Sequence, residues 1–147
     1  VEDTQAHLCS YFTVDDLKHL ARLGRVTKTA AFIGSLANIK PVLYVNTKGK
    51  LIPIGKVVSR KKSLKALVDK MEEKMLPASE QKKIFIGHGD CYEDALYVKT
   101  EIEKRFSLDC VVIDYIGPVI GAHAGAGVVA LFFLGADKIE KNDTQQD

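Results

Sequence analysis

Residues 83–134 read KIFIGHGDCYEDALYVKTEIEKRFSLDCVVIDYIGPVIGAHAGAGVVALFFL, and the order of patterns within them decides the fold. Lys83 to Gly87 is a short apolar run of strand length. Cys91, Ala95, Val98, Ile102 and Phe106 then recur on one helical face, with Asp90 and Glu93 as a cap pair. Asp109 to Ile116 is strand-like again. Gly117 to Gly127 is a glycine-rich connection, and Val128 to Leu134 is a last strand. Strand, helix, strand, loop and strand imply an α/β unit with neighbouring parallel strands.

Upstream, Leu8 to Phe12 alternates like a strand with little preamble. Thr13 and Asp16 have the spacing of a helix cap, Leu17, Leu20 and Ala21 give that helix one apolar side, and Gly24 stops it. Thr29 to Asn38 is Ala-rich and reads as a buried helix. Ile39 to Val45 is a strand in which Pro41 favours an edge or a strand start. Asn46 to Gly49 is turn chemistry, and Leu51 to Val58 returns as the second arm of a hairpin. Ser59 is a candidate cap. Leu64, Leu67, Val68, Met71 and Met75 follow at helical spacing, and Pro77 closes the segment. The hairpin adds an antiparallel pair, so the expected fold class is α/β, a mixed sheet with packed helices. No internal repeat or linker interrupts it. Residues 1–137 are expected to form one domain, and 138–147 a polar tail.

Composition narrows the function classes. The chain has 147 residues, 46% of them apolar, and a formal net charge of +2. That balance gives no case for a nucleic-acid partner, and no run of aromatic and basic residues suggests a single-strand platform. The stretch from Val111 to Leu134 is broken by Asp114, Pro118, His123 and glycines, so it is no membrane span. Cys9, Cys91 and Cys110 are odd in number and widely spaced, which fits reduced thiols in a cytoplasmic protein. The polar first residues show no signal peptide.

Four segments could carry chemistry. In Gly117-Pro-Val-Ile-Gly-Ala-His-Ala-Gly-Ala-Gly127, the glycines permit close approach of a ligand and amides that point at an anion, while His123 adds an imidazole donor. The alternative is a tight loop whose histidine bonds a neighbouring carbonyl. Gly24 to Ala31 places Arg25, Thr27 and Lys28 before an apolar helix, which suits an anion or is a solvated loop. Ser59-Arg-Lys-Lys62 clusters cations at a helix start, where the dipole disfavours them; it marks a partner site or a solvated run. Gly87-His-Gly-Asp-Cys91 pairs a histidine with a thiol, but nothing completes a nucleophile or a zinc set, and no cofactor motif is present.

Taken together, these segments resemble the DegV family. Gly24-Arg-Val-Thr-Lys28, running on to Ile39-Lys-Pro41, is similar to that family's Gly-Arg block. Ser59 to Lys62 resembles its Arg-x-Arg-Lys-Lys segment. Ile116 to Gly127 resembles its Gly-x-x-Ile-Gly-x-His-Thr-Gly-Pro-Gly signature. The blocks occur in family order across nearly the whole chain. The resemblance implies the carboxyl-terminal lobe of a two-lobed protein, with the amino-terminal lobe absent. Such a protein holds a long-chain fatty acid and presents its carboxylate to a separate fatty-acid kinase subunit for acyl-phosphate formation. The chain would not be catalytic itself and would need no cofactor or metal. The implied ligand-side residues are His123, Arg25, Gly121, Gly125, Thr27 and Phe32, and the implied partner-side residues are Arg60 and Lys61. Two departures stand out: Ala124 and Ala126 replace the family's Thr and Pro. The uncovered half of the pocket is expected to make the fragment self-associate. The rival classes are a small-molecule phosphotransfer or hydrolase domain using His123 or His88 with Cys91, and a non-lipid regulatory or dimerisation domain.

Overall fold

The computed structural model describes residues 2–24 and 38–136. The expected helix from Thr29 to Asn38 (all but its last residue), the sites Arg25, Thr27 and Phe32, and the tail 138–147 lie outside them. In chain order the elements are α1 (Glu2–His7), β1 (Leu8–Thr13), α2 (Leu17–Arg22), β2 (Ile39–Val45), β3 (Leu51–Val58), α3 (Arg60–Lys74), β4 (Ile84–His88), α4 (Tyr92–Phe106), β5 (Val111–Tyr115), α5 (Pro118–Ala124) and β6 (Val129–Leu134). The strands form one mixed sheet ordered β3-β2-β1-β6-β4-β5. β4 and β5 are parallel, as a strand–helix–strand crossover through α4 requires. All other neighbours are antiparallel.

Strand alternation divides the core in two. Cys9 and Tyr11 of β1, Leu131 and Phe133 of β6, and Ile84 and Ile86 of β4 face one side. There they meet Leu64, Leu67, Val68 and Met71 of α3 and Ala95, Val98 and Ile102 of α4. These helix positions recur every three or four residues, so each helix buries one stripe. Arg105 of α4 reaches Asp69 of α3 at 2.6 Å and ties the two helices together. On the other face, Phe12, Leu43 and Ala130 pack against Leu17 and Leu20 of α2 and Ala124 of α5. Among the described residues only these two short helices lie on that face, and they do not cover it. Phe85 and Val112, on β4 and β5, stay substantially exposed. Among the described residues no helix is long and apolar enough to cross a membrane.

Several local expectations change. A helical turn, α1, precedes β1 directly. The cap of α2 is Asp16, whose carboxylate accepts from the Lys18 amide at 2.8 Å. Thr13 is instead the last residue of β1, and its buried hydroxyl donates to the Pro41 carbonyl at 2.7 Å. Pro41 therefore sits in an inner strand, between β3 and β1, where a register shift follows at Val42/Leu43. Ser59 precedes α3 with φ +86° and no side-chain cap bond, and Cys91, not Asp90, occupies the cap position of α4. The glycine-rich connection contains α5, begun by Pro118 at the first helical position, where its missing N–H costs nothing.

Leu67→Ala, in the fully buried stripe of α3, is expected to lower unfolding free energy by about 2–5 kcal/mol in urea titration, against less than about 0.5 kcal/mol for exposed Lys82→Ala.

Candidate functional site

The partly covered face holds a cavity of about 370 Å³, which falls within the roughly 300–1,000 Å³ range of ligand sites. Its floor is β1 and β6: Ser10 pairs with Phe132, and Phe12 pairs with Ala130. Val45, Gly49 and Leu51 close one end, at the β2–β3 turn. Leu20 of α2 and Val119, Ile120, His123 and Ala124 of α5 line the rest. Val119 and Ile120 are 70% and 54% exposed, so among the described residues the roof is open. Among the described lining residues His123 is the only imidazole, and no carboxylate or ammonium joins it.

The helix that carries His123 is set by its ends. Gly121 N–H donates to the Gly117 carbonyl at 2.9 Å, and Gly125 N–H donates to the Gly121 carbonyl at 2.8 Å. The chain then leaves through Gly125 and Gly127, both at positive φ. At Gly127 a Cβ would lie 2.7 Å from the Asp15 Cβ, so only glycine fits. His19 of α2 donates Nε2–H to the Ala122 carbonyl at 2.9 Å and pins α5 from the side. From the other side, Gly127 N–H donates to the Gly89 carbonyl at 2.7 Å.

Of the ligand-side residues expected from sequence, the structure places His123 on the cavity. Its Nδ1–H donates to the Val119 carbonyl at 2.7 Å, one turn back, so the carbonyl bond and a place on the lining coexist. Gly121 and Gly125 build the helix and its exit; they are not among the lining residues. Ala124 is buried against the α2 side of the core, and Ala126 is exposed in the exit turn.

The expected partner-side pair divides. Arg60 lies at the start of α3 with its guanidinium turned inward. Its Nε and Nη2 each sit 2.9 Å from Asp94 Oδ2, and Nη2 also donates to the Gly127 carbonyl. Nη1 is buried without a hydrogen-bond partner among the described residues. The ion pair offsets the cost of a cation at a helix start and links α3, α4 and the exit of α5. Lys61 is exposed, with Nζ 5.7 Å from the centre of the Tyr97 ring.

His88 and Cys91 are used structurally. His88 is 2% exposed, lies 4.6 Å from the Tyr115 ring, and accepts the Cys91 amide on Nδ1 at 3.2 Å. Cys91 Sγ–H donates to the Val128 carbonyl at 3.3 Å. Burial pushes this thiol up, only partly opposed by the Arg60 charge. No cluster of three metal-ligating side chains occurs among the described residues.

Motif reading did not single out the cavity floor, nor His19 and Asp94. The alternation of Leu8 to Phe12 and the apolar run from Val128 to Leu134 were the available signal, but which strands pair decides the floor.

Two outcomes follow from this geometry. Because raising the thiol's pKa depletes thiolate at neutral pH, Cys91 in the folded protein should react with iodoacetamide far more slowly than after unfolding, as followed by mass spectrometry. Gly127→Ala should destabilise the fold by at least about 1 kcal/mol, through the positive φ and the contact with Asp15, as read by thermal unfolding.

A family model described as "Uncharacterised protein, DegV family" matches residues 1–136. A DegV domain-containing protein of Clostridium perfringens is 50% identical over 138 residues, which are 94% of this chain and 47% of that protein. A solved fatty acid binding DegV family protein from Streptococcus agalactiae is 31% identical with a TM-score of 0.75, over 92% of this chain and 47% of that one. The fold is shared as well with the Streptococcus pneumoniae fatty acid kinase B3 protein, solved loaded with linoleic acid. There the TM-score is 0.79 at 18% identity, over 90% of this chain and 46% of that one. The chain thus spans about half the length of the curated relatives it matches.

Proposed function

This chain belongs to the DegV family, and from that premise we propose that it is the carboxyl-terminal lobe of a carrier that holds one long-chain fatty acid. The observation that carries the reading is the apolar cavity on the open face of the sheet, with a single imidazole on its lining. An acyl tail lying over Phe12, Ala130 and Phe132 gains about 0.8 kcal/mol for each methylene removed from water. The carboxylate cannot be buried unpaired, and His123 meets it. Arg25, Thr27 and Phe32 join the ligand side through their match to the family's Gly-Arg block. The exposed Val119, Ile120 and Phe85 face the other half of the longer protein, which completes the enclosure.

The carrier works in the cytoplasm and presents the carboxylate to a separate kinase subunit, which forms the acyl phosphate. Similarity to the Streptococcus pneumoniae fatty acid kinase B3 protein supports that partner. Lys61 is an outward cation at that surface, and Arg60 holds the helix start that displays it. Binding is favoured over catalysis by this chain because the Cys91 thiol and His88 Nδ1 are both taken up by backbone groups.

The protein as its gene encodes it should retain a fatty acid through purification, detected by native mass spectrometry and extraction. Preparations free of lipid from every growth condition would end the reading. His123→Ala should weaken fatty-acid binding about tenfold to a hundredfold, the loss of one hydrogen bond to a charged group. Residues 1–147 alone should bind weakly and self-associate through the open face, as measured by sedimentation.

A further inference from the structure

We propose that Ser10 sets the length of acyl chain that the cavity accepts, an inference that rests on the carrier reading above. Strand alternation gives Ser10 its direction. Cys9 and Tyr11 on either side belong to the α3–α4 core, so Ser10 and Phe12 face the cavity. Pairing gives it its surroundings. Ser10 is opposite Phe132, and Phe12 is opposite Ala130. Small and large side chains therefore alternate diagonally on two adjacent strands, and Ser10 and Ala130 form a trough between two rings.

The trough leads away from the imidazole. Val128, Ala130 and Phe12 lie toward the α5 end, where His123 stands. In the other direction, the Tyr11–Tyr44 register puts Ser10 beside Val45, which pairs with Leu51. Beyond Ser10 the cavity continues to Val45, Leu51 and the turn at Gly49. From β6 to β3 is three strand spacings, about 14 Å. With the carboxylate at His123, the tail passes over Ser10 before it reaches the Gly49 end. A half-buried serine in a floor otherwise built of apolar side chains forgoes hydrophobic burial. What it leaves in exchange is depth, and a leucine there would stand across the trough and close off the Gly49 end.

The test uses the full gene product, wild type and Ser10→Leu, each delipidated and offered an equimolar mixture of laurate and palmitate, with retained acids quantified by mass spectrometry. The expected result is that laurate is kept and the palmitate-to-laurate ratio falls about tenfold, equivalent to roughly two methylenes displaced from the cavity. An unchanged ratio in Ser10→Leu overturns the proposal and leaves the carrier reading standing. Loss of both acids from the folded variant also overturns it, since a length gauge must spare the shorter chain. Wild-type protein that retains neither acid overturns the carrier reading, and this inference with it. Should Ser10→Leu not fold, Ser10→Val is read the same way, with a smaller fall in the ratio as support and an unchanged ratio as refutation. Ser10→Ala, which removes the hydroxyl but keeps the depth, should leave the ratio as in wild type; a fall like that of the leucine variant overturns the volume argument.

Discussion

Everything on the open face depends on how the chain leaves α5. At Gly127 the backbone passes so close to Asp15 that no side chain can be added, while its N–H goes to Gly89 and its carbonyl takes the Arg60 guanidinium. Three parts of the chain, the turn before α2, the start of α4 and the start of α3, thus converge on one glycine. With that point held, and His19 bonded to Ala122, α5 has one place to lie, and its histidine is on the cavity. A short helix has little stability of its own, so its position must come from such tertiary contacts.

The second organising fact is the inequality of the two sheet faces. Two helices of 15 residues each seal one face. Among the described residues, the other receives helices of six and seven residues, placed toward one end. Hydrophobic burial is thereby complete on one side and deferred on the other. A sealed core and an open apolar bed are consequences of the same sheet. The bed carries few polar groups, which is why a single imidazole can dominate its chemistry.

Much of the fold was legible in the residues because periodicity reports burial directly. The stripes of α3 and α4 and the strands β3, β4 and β6 were expected within a residue or two of where they lie. Caps were read less well. Thr13 had the right spacing for one, but its hydroxyl was claimed by the Pro41 carbonyl across the sheet, a partner no local pattern reveals. α5 was hidden by its glycines, although Pro118 at its first position is a helix-start signal. In the site, His123 was visible as the lone imidazole in a small-residue loop. Arg60 was visible only as a charge; its inward turn depends on Asp94, which lies on another helix. The floor was not visible at all, because its composition depends on β1 lying beside β6 with Ser10 opposite Phe132.

That same pairing bears on how the molecule is made. Of the described strands β1 comes first along the chain and β6 last, yet they run side by side along their full length, from Leu8 opposite Leu134 to Thr13 opposite Val129. On the ribosome, β1, β2 and β3 can zip together early, but one border of that ribbon stays unsatisfied until β6 has emerged. Closing so large a loop carries an entropic penalty and slows folding, and the waiting border is a template for another nascent chain. The fold's central seam therefore waits on the last of the described strands.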